Sequence, residues 1–97
     1  MKYELVLSEQ AEESINRIYR YHQDRKAGEG TDVLTAIWDK IEALEQNPNM
    51  YQIKYDDRRT APVKVGSFRY HIIYRIEQPT VIVIDLVSQS SNWFGNV

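Results

Sequence analysis

The stretch FRYHIIYRI, residues 68–76, alternates between two kinds of residue, as a long β-strand requires. One side of this predicted strand carries aromatic and aliphatic residues and the other carries a more mixed set: Tyr70, Ile72, Tyr74 and Ile76 against His71, Ile73 and Arg75. Turn signals stand at both ends of the stretch, Gly66-Ser67 before it and Gln78-Pro79 after it. The stretch therefore predicts the middle strand of an antiparallel meander.

The two strands expected beside this one differ in how apolar they are. Residues 61–65 predict the preceding strand, and residues 81–87 predict the following one. Because residues 81–87 are almost wholly apolar, we expect a central strand that is covered on both faces. Asp85 interrupts that run, so its carboxylate must be paired or lie at the end of the strand. Further upstream, residues 51–55 predict only a short extended piece.

The first part of the chain predicts a strand followed by a helix. Residues 2–7 alternate with period two, as expected for a strand with one buried face. Ser8 is a good N-cap for a helix whose apolar stripe runs as far as His22. A histidine on such a stripe is expected to be partly buried and hydrogen-bonded rather than a ligand. Gly28 and Gly30 mark the end of this helix.

A second helical stripe follows after a short connection and ends at Asn47-Pro48. Trp38 belongs to this stripe and is predicted to lie in the core. The short connection predicts that the two helices form an antiparallel hairpin. The expected fold is therefore a single α+β domain over residues 1–97, in the order β-α-α-β-β-β, with the helical hairpin packed on a largely antiparallel sheet.

The composition excludes several classes of function. The 97 residues include no cysteine and two histidines, so a disulfide framework, a thiol nucleophile and a thiolate metal site are all excluded. The two histidines are far apart and have no HExxH spacing, so we expect neither a metal nor another cofactor. The chain shows no signal peptide and no apolar run of transmembrane length. We therefore expect a cytoplasmic protein without a membrane partner.

The formal net charge of −2 conceals an uneven distribution. Residues 1–49 carry 6 basic and 10 acidic side chains, a sum of −4, whereas residues 50–97 carry 6 and 4, a sum of +2. Positions 58–76 hold no acidic residue and five basic ones: Arg58, Arg59, Lys64, Arg69 and Arg75. This run predicts a surface that faces phosphates or a partner. The alternative is the solvated face of an edge hairpin, where charge prevents aggregation.

Four segments resemble the RelE/ParE superfamily, which comprises the toxin components of type II toxin–antitoxin modules. They are YELVLSEQAEESINRIY (3–19), ALEQNPNM (43–50), FRYHIIYRI (68–76) and TVIVIDLVSQSSN (80–92). In order and spacing they are similar to the family's opening strand and helix, its Asn-Pro helix end, its aromatic-basic strand and its last strand. The resemblance implies the family's α+β fold over nearly the whole chain and a cognate antitoxin as partner. It also implies assembly as a homodimer or as a toxin–antitoxin hetero-oligomer.

The resemblance implies two different targets. ParE-like members inhibit DNA gyrase, whereas RelE-like members cut mRNA in the ribosomal A site without a metal. RelE-like enzymes usually have a further arginine just after the last strand, but residues 88–92 here read SQSSN. Because a serine cannot neutralise the charge of a developing phosphorane, we expect a ParE-like growth inhibitor associated with plasmid stabilisation. The alternatives are a RelE-like, ribosome-dependent mRNA endoribonuclease and a non-toxic, degenerate member that only binds its antitoxin.

In the endoribonuclease alternative, three residues are the catalytic candidates: His71, Arg69 and Arg59. His71 follows the aromatic Tyr70, where RelE-like enzymes place a basic residue, and a histidine can act there as acid or base near neutral pH. The plainer interpretation of His71 is a surface histidine on a strand. Binding of a partner or of RNA is expected of a further set: Arg58, Lys64, Arg75, Tyr51, Tyr55, Trp93 and Phe94.

The aromatic members of that set differ in their setting. Tyr51 and Tyr55 lie in irregular, partly exposed sequence and are therefore freer to contact a partner than the tyrosines of the core stripes. Trp93 and Phe94 are large aromatics in a polar tail, so they must either pack back on the sheet or bind something. We expect them to pack near the groove that the antitoxin occupies.

Overall fold

The computed structural model describes residues 2–89, and in that part of the chain two helices pack on one five-stranded sheet. The elements are β1 (Glu4–Leu7), α1 (Glu9–Arg25), α2 (Glu29–Gln46), a 3₁₀ turn (Pro48–Met50), β2 (Ile53–Tyr55), β3 (Arg58–Val65), β4 (Phe68–Glu77) and β5 (Thr80–Ser88). The predicted α+β fold with its helical hairpin is confirmed. One strand is added to the predicted order, because the extended piece around residue 54 pairs with β3 as the short edge strand β2.

The strands lie in the order β1-β5-β4-β3-β2, and only the β1–β5 pair is parallel. β5 is therefore an interior strand with a neighbour on each side, although the middle position of the sheet belongs to β4. β5 was expected to be covered on both faces, but only the face toward the helices is completely buried. Val81 and Val83 are fully buried under the helices, whereas Ile82 and Val87 on the other face are half-buried.

The predicted middle strand of the meander is β4. Its Ile72 lies directly between Ala61 of β3 and Leu86 of β5, and all three side chains are buried. Tyr74 is also fully buried, and its hydroxyl donates a hydrogen bond of 2.6 Å to the carbonyl of Pro48. β4 is therefore the middle strand of the sheet, and it also holds the turn that follows α2 in place.

The start of α1 is fixed to the sheet by Ser8. Its Oγ accepts a hydrogen bond of 3.0 Å from the backbone N–H of Ala11, which confirms the predicted N-cap. The same hydroxyl donates to the carbonyl of Ile84 at 2.7 Å. Further along α1, the Ser14 hydroxyl and the Gln10 amide donate to the Asp85 carboxylate at 2.6 and 2.9 Å. The prediction that Asp85 is paired is thus confirmed, with both of these partners on α1.

The two glycines at the junction of the helices have different roles. Gly28 has a φ of 90°, a left-handed conformation that glycine adopts without steric cost, and it turns the chain directly into α2. Gly30 already lies inside α2. A Cβ at that position would come within 2.8 Å of the Tyr19 carbonyl oxygen, so glycine allows the helices to approach closely here.

The core is formed where the helical stripes meet the inner face of the sheet. Its helical members are Ala11, Ile15, Val33, Ile37, Ile41 and Leu44. Trp38, which was expected among them, is 42% exposed, so that prediction is wrong. The buried positions of α2 follow Ile37, and Trp38 lies about 100° further round the helix, beside the core rather than in it. Within residues 2–89, no helix is long and apolar enough to cross a membrane.

Candidate functional site

The basic residues of β3 and β4 do not all lie on one side of the sheet. Side chains alternate along a strand, so the neighbours of the buried Tyr70 and Ile72 lie on the side away from the helices, which we call the outer face. By this alternation and the β3–β4 register, the outer face carries Arg58, Lys64, Arg69, His71 and Arg75. Arg59 lies on the helix side, opposite the core residue Tyr74. The structure therefore brings His71 and Arg69 together and separates them from Arg59.

Arg59 makes a structural contact. Its Nη1 donates a hydrogen bond of 2.6 Å to the carbonyl of Tyr51. The hydroxyl of Tyr51 accepts one of 2.8 Å from Nζ of Lys40, and the Tyr51 side chain is half-buried. These contacts hold the segment after α2 against β3 and α2. Tyr51 is therefore fixed in place by contacts within the chain, and its contact with a partner stays a prediction.

Arg58 and Arg75 are paired with acidic residues that lie just outside the basic run. Arg58 Nη1 is 3.1 Å from Oδ1 of Asp57. Arg75 Nη1 is 2.8 Å from Oε2 of Glu77 and 3.9 Å from Oδ2 of Asp57. The hydrogen bond to Glu77 and its negative charge raise the pKa of Arg75. Much of the positive charge of these two arginines is therefore balanced within the chain.

Unlike Arg58 and Arg75, Lys64 and Arg69 have no acidic side chain nearby that balances their positive charge within residues 2–89. They lie directly opposite each other on β3 and β4, and both are exposed. Neither forms an ion pair with any residue between positions 2 and 89. Like charges directly opposite each other in a sheet are destabilising. An anionic group bound between them would relieve that repulsion.

His71 lies two residues beyond Arg69 on β4, opposite Pro62 of β3 and Val87 of β5. It is half-buried, and burial lowers the pKa of its imidazole, with a smaller contribution from the positive charge of Lys54. Both causes favour the neutral ring near neutral pH. A neutral imidazole can accept a proton, so the ring has the protonation state that a general base needs. A shallow cleft adjoins it, lined by Met50, Tyr51, Gln52, Lys54, Thr60 and Pro62.

Of the remaining aromatic candidates, Tyr55 lies within the described residues, whereas Trp93 and Phe94 do not. Tyr55 is 42% exposed, and the guanidinium of Arg58 lies 5.8 Å from the centre of its ring. The outer edge of β2 therefore presents an aromatic ring and a cation together. Trp93 and Phe94 lie outside the described residues, as do positions 90–92 of the segment after the last strand.

A buried group on the helix side of the sheet links both helices to β4. His22 is fully buried; its Nδ1 contacts Oε2 of Glu29, and its Nε2 shares a hydrogen bond of 2.7 Å with the Tyr70 hydroxyl. Arg25 Nε donates to the same Glu29 oxygen at 2.9 Å. The hydrogen bonds from His22 and then Arg25 lower the pKa of Glu29, whereas burial raises that of Tyr70.

The expected hydrogen bonding of His22 is confirmed, but its burial is complete rather than partial, and its partners were not predicted. Glu29 follows a turn that interrupts the helical periodicity, and Tyr70 is 48 positions away. A carboxylate–imidazole–hydroxyl chain can pass a proton, but here the imidazole is sealed in the interior. Its evident role is to join α1, α2 and β4. Among residues 2–89, no group of three His, Asp or Glu side chains is placed to hold a metal ion.

Residues 5–93 match the family described as the ParE toxin of the type II toxin–antitoxin system parDE. The chain belongs to the ParE toxin family. The resemblance seen in the sequence to the RelE/ParE superfamily is thereby confirmed, and the protein is a type II toxin–antitoxin toxin by family. No curated protein matches the chain.

Solved structures share the fold of this ParE-family chain. The chromosomal ParDE system of P. aeruginosa matches with a TM-score of 0.74 and 13% identity, over 90% of this chain and 96% of that one. An arginine-substituted mutant of E. coli toxin RelE in the free state matches with a TM-score of 0.66 and 19% identity, over 93% and 86%. The RelBE2 toxin–antitoxin complex from Mycobacterium tuberculosis matches with a TM-score of 0.64 and 14% identity, over 92% and 100%. At these identities the matches establish the fold alone.

Proposed function

We propose that this ParE-family chain is a growth inhibitor that acts on DNA gyrase in the cytoplasm and is neutralised by a cognate antitoxin. The observation that carries the proposal is the ParE family match, which spans residues 5–93. Similar structures that are themselves toxin–antitoxin complexes support an antitoxin partner and a hetero-oligomeric resting state.

The distribution of cations supports a protein target over RNA cleavage. Arg59 is tied to the Tyr51 carbonyl on the helix side, and Arg58 and Arg75 have acidic partners. Lys64 and Arg69 remain exposed and adjacent on the outer face. Two neighbouring cations suit an acidic patch on a protein, whereas cleavage of RNA needs several cations and proton carriers that converge on one phosphate.

The decisive measurement is a supercoiling assay with purified gyrase. The wild-type chain is expected to inhibit supercoiling, and Lys64→Glu/Arg69→Glu is expected to weaken inhibition at least about tenfold, because it reverses both unpaired cations. The matched control is Arg20→Glu/Lys26→Glu, which makes the same charge change at two exposed positions, one on α1 and one directly after it. Absence of inhibition by the wild type contradicts the proposal, and equal losses in both variants contradict the assignment to the outer face.

A RelE-like endoribonuclease is the second candidate, and the setting of His71 favours it. Its lowered pKa keeps the imidazole neutral, and Arg69 is on the same face two residues away. Toeprinting on translating ribosomes tests this candidate directly. If the wild-type chain cuts mRNA at specific codons, His71→Ala abolishes these cuts, and gyrase supercoils DNA equally well with and without the wild-type chain, the endoribonuclease replaces the gyrase inhibitor as the proposed function. Expression without an antitoxin is expected to stop growth if the chain is a gyrase inhibitor or an endoribonuclease. A member that only binds antitoxin would leave growth unaffected.

A further inference from the structure

A groove on the far side of the molecule from the basic run has features that the proposed function does not use. It lies between β1 and the second half of α2, and we call it the Trp38 groove. Its lining residues are Leu5, Trp38, Asp39, Ile41, Glu42 and Glu45. Trp38 is 42% exposed, so a large part of its apolar surface is open to solvent. The groove thus combines an open aromatic surface with three carboxylates.

The groove adjoins an open edge of the sheet. Within residues 2–89, β1 pairs only with β5, so its other side is unpaired. The backbone N–H of Tyr3 donates to the Glu45 carbonyl at 2.9 Å, which places the start of β1 beside the last turn of α2. Glu4 N–H donates to Pro79 on the β5 side, so by alternation the backbone groups of Leu5 and Leu7 face the open edge. An edge of this kind can accept a further strand.

The charge of the groove selects the kind of strand that fits. Asp39, Glu42 and Glu45 form no ion pair with any residue from 2 to 89. Two of them lie in the last turns of α2, where the helix dipole disfavours negative charge, and this last turn has no basic residue. A cation supplied from outside would relieve both the mutual repulsion and the unfavourable dipole contact.

Three aromatic rings that are at least partly exposed differ from Trp38 in having a cation of this chain close by. Tyr51, Tyr55 and Phe68 each have a cation of this chain over the ring, at 5.4, 5.8 and 4.9 Å from the centroid. In the described part of the chain, no such cation covers Trp38. Tryptophan is the best cation–π acceptor among the side chains, and here it stands next to carboxylates that attract a cation.

We propose that the Trp38 groove is the docking site for an extended, cationic segment of a partner protein. The segment pairs with the open edge of β1 as a sixth strand. Its Lys or Arg side chains on the helix side contact the Trp38 ring and the carboxylates of Glu42 and Glu45. Its alternate side chains are aliphatic, because on the other side of β1 they meet Val6, which is 49% exposed. The recognised pattern is therefore alternating basic and aliphatic residues.

A second copy of this chain is a poorer occupant of the same edge. Pairing β1 with β1 of another copy would bring two acidic grooves together, and like charges in close contact oppose association. The segments of this chain that alternate most regularly are also already used inside its own sheet. Charge complementarity therefore favours a different protein.

The proposal can be tested with a short synthetic peptide that alternates arginine and valine and has blocked ends. Binding to the isotopically labelled full chain is expected to shift the NMR signals of the Trp38 indole N–H and of the Leu5 and Leu7 amides. Hydrogen exchange at the Leu5 and Leu7 amides is expected to slow, because these amides become hydrogen-bonded. Exchange at Glu4 is expected to stay unchanged, because its N–H is already bonded to Pro79.

Charge variants complete the test. Glu42→Gln/Glu45→Gln is expected to weaken peptide binding about tenfold, as the loss of two partly exposed ion pairs implies. Glu12→Gln/Glu13→Gln removes the same charge from exposed positions of α1 and is expected to leave affinity unchanged. A peptide alternating glutamate and valine is expected not to bind.

Four results would overturn the proposal: equal loss in the two double variants, equal binding of the acidic peptide, unchanged exchange at Leu5 and Leu7, or self-association of the chain through these amides. None of them depends on gyrase inhibition, so this proposal and the proposed function fail separately.

Discussion

Two groups of charged and polar side chains in this molecule differ chiefly in burial. In one, the fully buried His22 joins Glu29 and Tyr70, so that α1, α2 and β4 meet at a single ring. In the other, Asp57, Arg58, Arg75 and Glu77 form ion pairs at the edge of the sheet, with between 31% and 65% of each side chain exposed. Water can replace a lost partner in the second group but not in the first. The buried group should therefore dominate stability although it has fewer formal charges.

The largest expected effect is that of His22→Ala, which removes the imidazole at the centre of the buried group. We expect a loss of about 3 kcal/mol in the free energy of unfolding, because the change leaves a cavity and removes the partner of the Tyr70 hydroxyl. Urea denaturation followed by circular dichroism measures it. Tyr70→Phe is the milder control, with an expected loss of about 1 kcal/mol, because the ring stays and one hydrogen bond is lost. A loss for His22→Ala no larger than that of the control would contradict the central role of the imidazole.

Tyr74→Phe tests whether a buried hydrogen bond between two neutral groups also contributes more to stability than the exposed ion pairs do. The change leaves the buried Pro48 carbonyl without the Tyr74 hydroxyl, and we expect a cost of about 1.5 kcal/mol. Burial also raises the pKa of Tyr74 to about 12, so its contribution is complete below the ordinary value of 10.0 and is lost as pH rises toward 12. Urea titrations at neutral pH and above pH 10 are the measurement. An alkaline loss of stability as steep in the variant as in the wild type would contradict the role of Tyr74.

Acid titration tests the charged partner of the buried group. Because hydrogen bonds from His22 and Arg25 lower the pKa of Glu29, its contribution is complete above the ordinary value of 4.5 and is lost as pH falls through the folded-state value. We expect Glu29→Gln to flatten the decline of stability below that pH. Glu12→Gln, at an exposed position of the same helical hairpin, is the control. Identical acid limbs for the wild type and Glu29→Gln would exclude the assigned pairing.

The smallest effect is expected from the exposed group. Asp57→Asn/Glu77→Gln removes both acidic partners of the edge cluster while keeping side-chain size. We expect no resolvable change in the denaturation midpoint, because exposed ion pairs contribute little and water solvates what remains. A loss comparable to that of His22→Ala would show that burial is not what distinguishes the two groups.

Local patterns predicted much of the fold because they act within a few residues. The alternation of residues 68–76 identifies β4 with its buried face, and Ser8 marks the start of α1. Trp38 was misplaced because an apolar stripe on a helix can be wider than the surface that its neighbours cover. β2 was not assigned as a strand because all three of its residues are exposed and its pairing with β3 is irregular.

The candidate site was less predictable because its contacts are not local. Alternation alone would have separated Arg59 from Arg58, since adjacent residues of a strand face opposite sides. The pairing of Arg75 with Asp57 requires the β3–β4 hairpin to bring the two together, and no periodicity contains that information. The same holds for His22 and Tyr70. A run of basic residues therefore overstates the free charge of a surface when acidic residues stand just beyond its ends.

The parallel pairing of β1 with β5 has a consequence for how the chain acquires its shape during synthesis. Residues 4–7 emerge from the ribosome early but pair with residues 80–83, which emerge near the end of the described chain. Until then the first strand has no neighbour in the sheet, and the N-cap hydroxyl of Ser8 lacks its acceptor, Ile84. A nascent chain that stops before β5 can hold a helical hairpin and part of a meander, but not the strand that joins its two ends. The complete sheet therefore forms only once translation has passed β5.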